Sequence, residues 1–375
     1  MLALLLALRV ATLPAAAPVS AAPDTLPAVA TGGMVSSAHP LATRAGVEVL
    51  ERGGNAFDAA VAVAAALNVV EPMMSGMGGY GTILVYSVDE GRSRFLNPSG
   101  RIPRGTDPDQ FRAPTPGYME NRRGAKAVST PGNVNAWAAM HRLYGRLPWA
   151  ELFAPAARLA EEGFALDART ASMVAQAFGE FPEHAKRVYG REGRPLGEGE
   201  RLVQADLARS LRLVASEGPG AFQGGALGRA VDRAMRDAGG FLRLSDLAEN
   251  EAEWWDPVAI NYRGHRVVVP PPPANSFPAL VRLGLMSRFD PAALGHNTAA
   301  YLHTYAEVTK HGFWTRLRWA GDPDIAPPPL DVLPSPAYWE GVADTLVGER
   351  ARPFVPPFPP AAPDAHTTHF VVADR

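Results

Sequence analysis

Apolar residues recur at helical spacing through residues 31–52, where Leu41, Ala45, Val47 and Leu50 fall on one face before Gly53-Gly54 halts the run. Residues 55–67 read Asn-Ala-Phe-Asp-Ala-Ala-Val-Ala-Val-Ala-Ala-Ala-Leu. A segment that is apolar nearly all round predicts a buried helix rather than an amphipathic one. Asn55 suits its N-cap, and Asp58 sits in the first turn, where the helix dipole favours a carboxylate. Pro72 ends it, and the glycine-rich residues 75–81 read as a flexible turn. Residues 82–88 predict a strand, 89–91 a hairpin turn and 94–96 the returning strand. A buried helix leading into a hairpin argues for a layered α/β (α+β) domain and against a helical bundle.

Downstream the periodicity is mostly helical, over residues 133–144, 149–162, 204–217, 225–238, 278–288 and 298–314. Glycine or proline closes most of these runs, as Gly163 and Gly218-Pro219-Gly220 do. A strand over 264–269 meets four consecutive prolines at 270–273. From 327 to 363 proline dominates, which favours extended, solvated backbone. Residues 367–375, Thr-Thr-His-Phe-Val-Val-Ala-Asp-Arg, then read as a strand by their β-branched and aromatic content. No internal repeat is present.

Composition removes several classes of chemistry. The 375 residues carry 36 Lys+Arg against 38 Asp+Glu, a net charge of -2, so the total gives no sign of a nucleic-acid partner. There is no cysteine, which excludes disulfides, thiolate metal sites and a cysteine nucleophile. Residues 1–22 read as a secretory signal, with an apolar run from Leu2 to Leu8 and small residues at Ala15 to Ala17 and Ala21-Ala22, although Arg9 follows the run and no basic residue precedes it. A periplasmic or secreted protein is therefore expected, and no stretch reaches membrane-spanning length. The sequence contains no P-loop, no His-Glu-x-x-His and no Gly-x-Ser-x-Gly. Gly76-Met77-Gly78 follows a helix and precedes a strand, the reverse of a dinucleotide site, so no cofactor is expected. His366 and His369 are close in sequence but lack a carboxylate cluster, and no metal is expected.

Thr367 offers different chemistry. A threonine hydroxyl becomes a nucleophile when its own α-amine acts as base, which requires that the chain be cut before it. A proline-rich stretch ending at His366, followed by a strand opened by Thr367, meets that geometry, although strand-opening threonines are common and this alone decides nothing. The motif Thr367-Thr368-His369-Phe370-x-Val372 resembles the processing site of the gamma-glutamyltranspeptidases. Residues 53–62, the glycine turn 76–81, Thr130-Pro131-Gly132, the prolines 270–273 and Gly321-Asp322-Pro323 resemble further segments of that family, in the same order. The resemblance covers about residues 30–375.

The resemblance implies an N-terminal nucleophile (Ntn) hydrolase fold, an αββα sandwich, here incomplete because most of the small subunit is absent. It implies a large-subunit region over 23–366, self-cleavage between His366 and Thr367, and a small subunit beginning at 367. Thr367 would be the catalytic nucleophile toward a γ-glutamyl amide, with water or an amino-acid amine as acceptor and the processed subunits forming a heterodimer.

Two departures qualify this. The family's Asp-x-Arg-Glu-x-x-Pro stretch is here Asn97-Pro98-Ser99-Gly100-Arg101-Ile102-Pro103. Ser99, at the aligned arginine position, cannot pair with a carboxylate in bidentate fashion. Arg101 lies two residues on, on the same face of an extended segment, and is either the substitute substrate ligand or a solvated loop arginine. The Ser-Gly-Arg run resembles the acylase-like branch and keeps an acylase acting on a glutaryl or β-lactam side-chain amide as the alternative. The family's small subunit also supplies the oxyanion hole, and the sequence runs nine residues into it. A truncated, inactive enzyme is therefore expected, with a non-catalytic homologue as alternative, and the sheet neighbours of 367–375 are expected in the small subunit.

Overall fold

The computed structural model describes residues 28–112, 123–346, 348, 350–353 and 367–375. The secretory signal expected at 1–22, and His366, lie outside the described residues. The first elements are β1 (Gly33–Ser37), α1 (Pro40–Glu51), α2 (Ala56–Val70), β2 (Ile83–Ser87), β3 (Arg92–Asn97), α3 (Asn133–Tyr144) and α4 (Ala154–Glu162).

The helix expected over 31–52 is divided. Residues 33–37 form β1, and the helix begins only at Pro40, a residue suited to the first helical turn. His39 caps it, its Nδ1 accepting the Leu41 N–H at 3.1 Å. What draws residues 33–37 into a strand is a partner remote in sequence. β1 pairs antiparallel with the strand Phe370–Asp374, with Gly33 opposite Asp374 and Ser37 opposite Phe370. The expectation that 367–375 finds its neighbours only in another subunit is corrected on this side: one neighbour is β1.

The buried helix is α2, in which residues 61 to 70 are all buried. Its capping box holds, with the Asp58 N–H donating to Asn55 Oδ1 and the Asn55 N–H to Asp58 Oδ2, each at 3.0 Å. Asp58 also accepts the backbone N–H groups of Arg146 at 3.1 Å and Leu147 at 3.2 Å. One fully buried carboxylate thereby starts α2 and fixes the turn after α3. Helices α1, α3 and α4 pack around α2, while Phe370 and Val372 close the same core from the sheet side. The predicted hairpin is present as β2 and β3, and Glu253–Trp255 pairs on the far side of β3.

A second core lies further along. The hairpin Val258–Tyr262 with His265–Val269 packs with helices Phe277–Met286, Ala299–Trp319 and Pro336–Leu346. The last of these helices corrects the extended backbone expected throughout 327–363. Pro336 occupies its first position, where proline is tolerated, and Trp339, Ala343 and Leu346 recur on one buried face. Buried Glu307 accepts from Lys310 Nζ at 2.5 Å and Arg352 Nε at 3.1 Å, fixing the chain just ahead of residues 354–366.

Asp58→Asn should lower stability by about 3 kcal/mol, because an amide cannot accept from three converging N–H groups as a carboxylate does and would aim its own N–H atoms at donors. Thermal and urea melts of the variant check this.

Candidate active site

The strand Phe370–Asp374 lies along α2 in the opposite direction and is tied to it at both ends. At the helix start, the Ala56 N–H donates to Asp374 Oδ2 at 2.8 Å, a carboxylate on the positive end of the dipole. At the helix finish, Thr368 Oγ1 donates to Glu71 Oε2 at 2.5 Å. The lengths agree. The 15 residues of α2 span about 22 Å at helical rise, and the six steps from Thr368 to Asp374 span about 20 Å in extended chain.

This sets the faces of the strand. Thr368, Phe370 and Val372 are half-buried against the core, while Thr367, His369 and Val371 are exposed. Thr367 stands on the open face directly beside the point where Glu71 holds the chain. Glu71 itself is nearly buried, at 8% exposure. The sequence reading passed over it. Its signal was the helix end: a carboxylate just past the C-terminus of α2 opposes the dipole there and calls for a donor to compensate it.

Polar residues gather behind Glu71. With Asp167, Arg169 and Thr170 it lines a cavity of about 60 Å³, roomy and polar enough for water. His39 Nε2 lies 3.8 Å from Asp167 Oδ2. Burial pushes the His39 imidazole below its usual pKa, and the negative charges of Asp167 and Glu71 offset only part of this. The Nδ1 contact to the Leu41 N–H is an acceptor's role, so the neutral ring carries its proton on Nε2, facing Asp167.

The turn after α2 leads to Arg101 through backbone contacts. Gly79 O accepts the N–H groups of Gly132 at 3.0 Å and Asn133 at 3.1 Å, and Asn133 Nδ2 donates to Gly76 O at 2.8 Å. Gly132 and Gly100 are required where this segment crosses residues 98–101. A Cβ on Gly132 would stand 1.7 Å from Pro98 O, and one on Gly100 the same distance from Thr130 O. Thr130 Oγ1 donates to Arg101 O at 2.6 Å. The glycine turn, the Thr-Pro-Gly segment and the Ser-Gly-Arg run thus form one hydrogen-bonded unit.

Arg101 is bound but not buried. Its guanidinium reaches Asp324 at 3.1 Å and Glu253 at 3.4 Å, and its side chain is 67% exposed. Asp324 follows the Gly321-Asp322-Pro323 tripeptide, whose Asp322 Oδ1 accepts the Asp324 N–H at 2.9 Å. Neither acid was picked out from the sequence. Among the described residues, Thr367 Oγ1 makes a long 3.5 Å contact to Thr368 O. Among the described residues, no group of three His, Cys, Asp or Glu side chains is arranged to hold a metal ion, and no helix is long and apolar enough to cross a membrane.

The sequence profile of the gamma-glutamyltranspeptidase family matches residues 42–375. The chain belongs to the gamma-glutamyltranspeptidase family. It is 34% identical over 361 residues to the acylase ACY 1 proenzyme of Pseudomonas sp. (strain V22), covering 93% of this chain and 64% of that protein. It is 32% identical over 358 residues to the glutathione hydrolase proenzyme of Escherichia coli (strain K12), covering 93% of this chain and 62% of that one. The chain therefore spans under two thirds of the length of these relatives. Among solved structures, it resembles the gamma-glutamyltranspeptidase of Helicobacter pylori with a TM-score of 0.83 and 30% identity, over 88% of this chain and 95% of that one. The cephalosporin acylase of Bacillus halodurans matches with a TM-score of 0.79 and 28% identity, over 95% of this chain and 67% of that one. The expected Ntn-hydrolase fold is thus established, in a family of enzymes.

The buried imidazoles give the family member a pH signature. His311, like His39, is held below its usual pKa by burial, with the Arg352 charge adding to the effect. The unfolded chain takes up these protons near pH 6.5 and the folded chain only at lower pH. Stability is therefore full above about 6.5 and falls as pH drops through that value. The melting temperature should decline from about pH 7.5 to about 5.5, and the double variant His39→Gln, His311→Gln should flatten the decline.

Proposed function

We propose that the protein is an autoprocessing Ntn hydrolase that breaks an amide bond with Thr367 as nucleophile. The observation carrying this is the placement of Thr367 on the exposed face at the head of a strand fixed at both ends to α2. In the precursor, the Thr367 hydroxyl attacks the carbonyl carbon of His366. The bond from that carbon to the Thr367 nitrogen breaks, freeing the α-amine and leaving an ester on Oγ1. Water hydrolyses the ester, giving His366 a carboxylate and returning the hydroxyl to Thr367. The freed amine then takes the hydroxyl proton as Thr367 attacks the substrate amide, and an acyl-enzyme forms. Water or an amino-acid amine resolves it.

On this reading, residues 23–366 form the large subunit, residue 367 begins the small one, and the two remain together as a heterodimer. The names of the relatives as proenzymes support such processing. Export to the periplasm or outside the cell follows from the leader-like residues 1–22. A γ-glutamyl amide is the first substrate class, with Arg101 as the partner of its α-carboxylate.

A second reading, an acylase for a glutaryl or β-lactam side-chain amide, has its own support. Ser99 stands where an arginine is expected, and the Arg101 guanidinium is already engaged by Asp324 and Glu253. A substrate carboxylate would have to displace both.

Two measurements check these assignments on the whole gene product. N-terminal sequencing of the processed protein should return Thr-Thr-His-Phe, and Thr367→Ala should remain uncut; any other new terminus contradicts the assignment. Arg101→Ala should lower kcat/KM for γ-glutamyl-p-nitroanilide by about 2–3 kcal/mol of binding if it holds the substrate carboxylate. Unchanged kcat/KM supports the acylase reading or a different partner for the substrate carboxylate.

A further inference from the structure

We infer that Glu71 is a positioning residue for cleavage at Thr367: its carboxylate holds the Thr368 hydroxyl and so sets the register that presents Thr367 on the open face. The inference rests on the reading of Thr367 as the residue at which the chain is cut.

Three observations carry it. The contact between Glu71 Oε2 and Thr368 Oγ1, at 2.5 Å, joins a nearly buried carboxylate to a half-buried hydroxyl one residue from the cleavage point. Such charge-assisted bonds are the strong ones, and they are stronger away from water. Register is the quantity at stake. The strand alternates faces, so a one-residue slip would turn Thr367 into the core and Thr368 out of it. The bond to Glu71 is a side-chain tie one residue after Thr367. β1 pairs with the strand only from Phe370 onward and does not hold residues 367–369.

The backbone of Glu71 is spent on the turn, its carbonyl accepting the Met74 N–H at 2.9 Å and the Ser75 N–H at 3.1 Å, and its side chain alone faces the strand. The carboxylate is not a base in the reaction. It acts by fixing where Thr367 stands.

The test uses the whole gene product and follows the rate of self-cleavage on denaturing gels beside the melting temperature. Thr368→Val keeps the β-branched shape but loses the donor, and should slow cleavage about tenfold or more with little change in melting. Thr368→Ser restores the donor and should cleave near the parent rate. Glu71→Gln keeps an uncharged acceptor and should fall between. The double variant Glu71→Gln, Thr368→Val should be no slower than Thr368→Val, since both act on one bond. Parent-rate cleavage by Thr368→Val and Glu71→Gln, while Thr367→Ala stays uncut, overturns this inference and spares the nucleophile. Cleavage of Thr367→Ala at the same bond overturns both.

Discussion

The structure depends on the seating of one short strand. Phe370–Asp374 lies between β1 and the buried helix α2, hydrogen-bonded to the first and fastened to both ends of the second. Residues more than three hundred positions apart in sequence are thereby closed into one layer. The apolar side chains of α2 need a sheet to cover them, and the inward residues Val35, Phe370 and Val372 supply it. The two polar fastenings add no comparable burial. What they add is a fixed position along the helix, beyond the register that the alternation of faces and the pairing with β1 already impose.

Much of this was legible in the sequence. The all-round apolar helix, its Asn55 cap, the hairpin after the glycine turn and the closing strand each follow from local pattern, and each is present, with ends displaced by up to three residues. The misses share a cause. β1 was taken as helix because Gly33 to Ser37 precede a strongly periodic helix and carry little strand propensity of their own; long-range pairing decides their state. Pro336–Leu346 was hidden by surrounding prolines, although Trp339, Ala343 and Leu346 repeat at helical spacing. Glu71, Glu253 and Asp324 are single acids whose meaning lies in what the fold brings opposite them. Thr367 and Arg101 could be named beforehand, but the partners that constrain them could not.

The acyl group that the site accepts is an electrostatic question. Backbone crossings at Gly100 and Gly132 leave no freedom in where Arg101 begins, so its guanidinium works within a small radius. Within that radius lie two carboxylates, both exposed and therefore weakly held. Exposed pairs of this kind exchange partners at little cost, so on the proposed γ-glutamyl reading Arg101 would turn from them to a substrate carboxylate. On the acylase reading it would remain with Asp324 for an acyl chain without a carboxylate and turn to the carboxylate of a glutaryl chain. The chain is similar, at nearly equal identity, to a relative named glutathione hydrolase and one named acylase.

The absence of cysteine permits a direct measurement of register. Ser36 and Val371 are opposed across β1 and Phe370–Asp374 on the exposed face, within reach of a disulfide. The pair Ser36→Cys, Val371→Cys should form an intramolecular disulfide under mild oxidation, and Ser36→Cys with Val372→Cys, one residue displaced and facing the core, should not. Cross-linking of the displaced pair, or of neither, would contradict the seating of the strand on which the account of Thr367 depends.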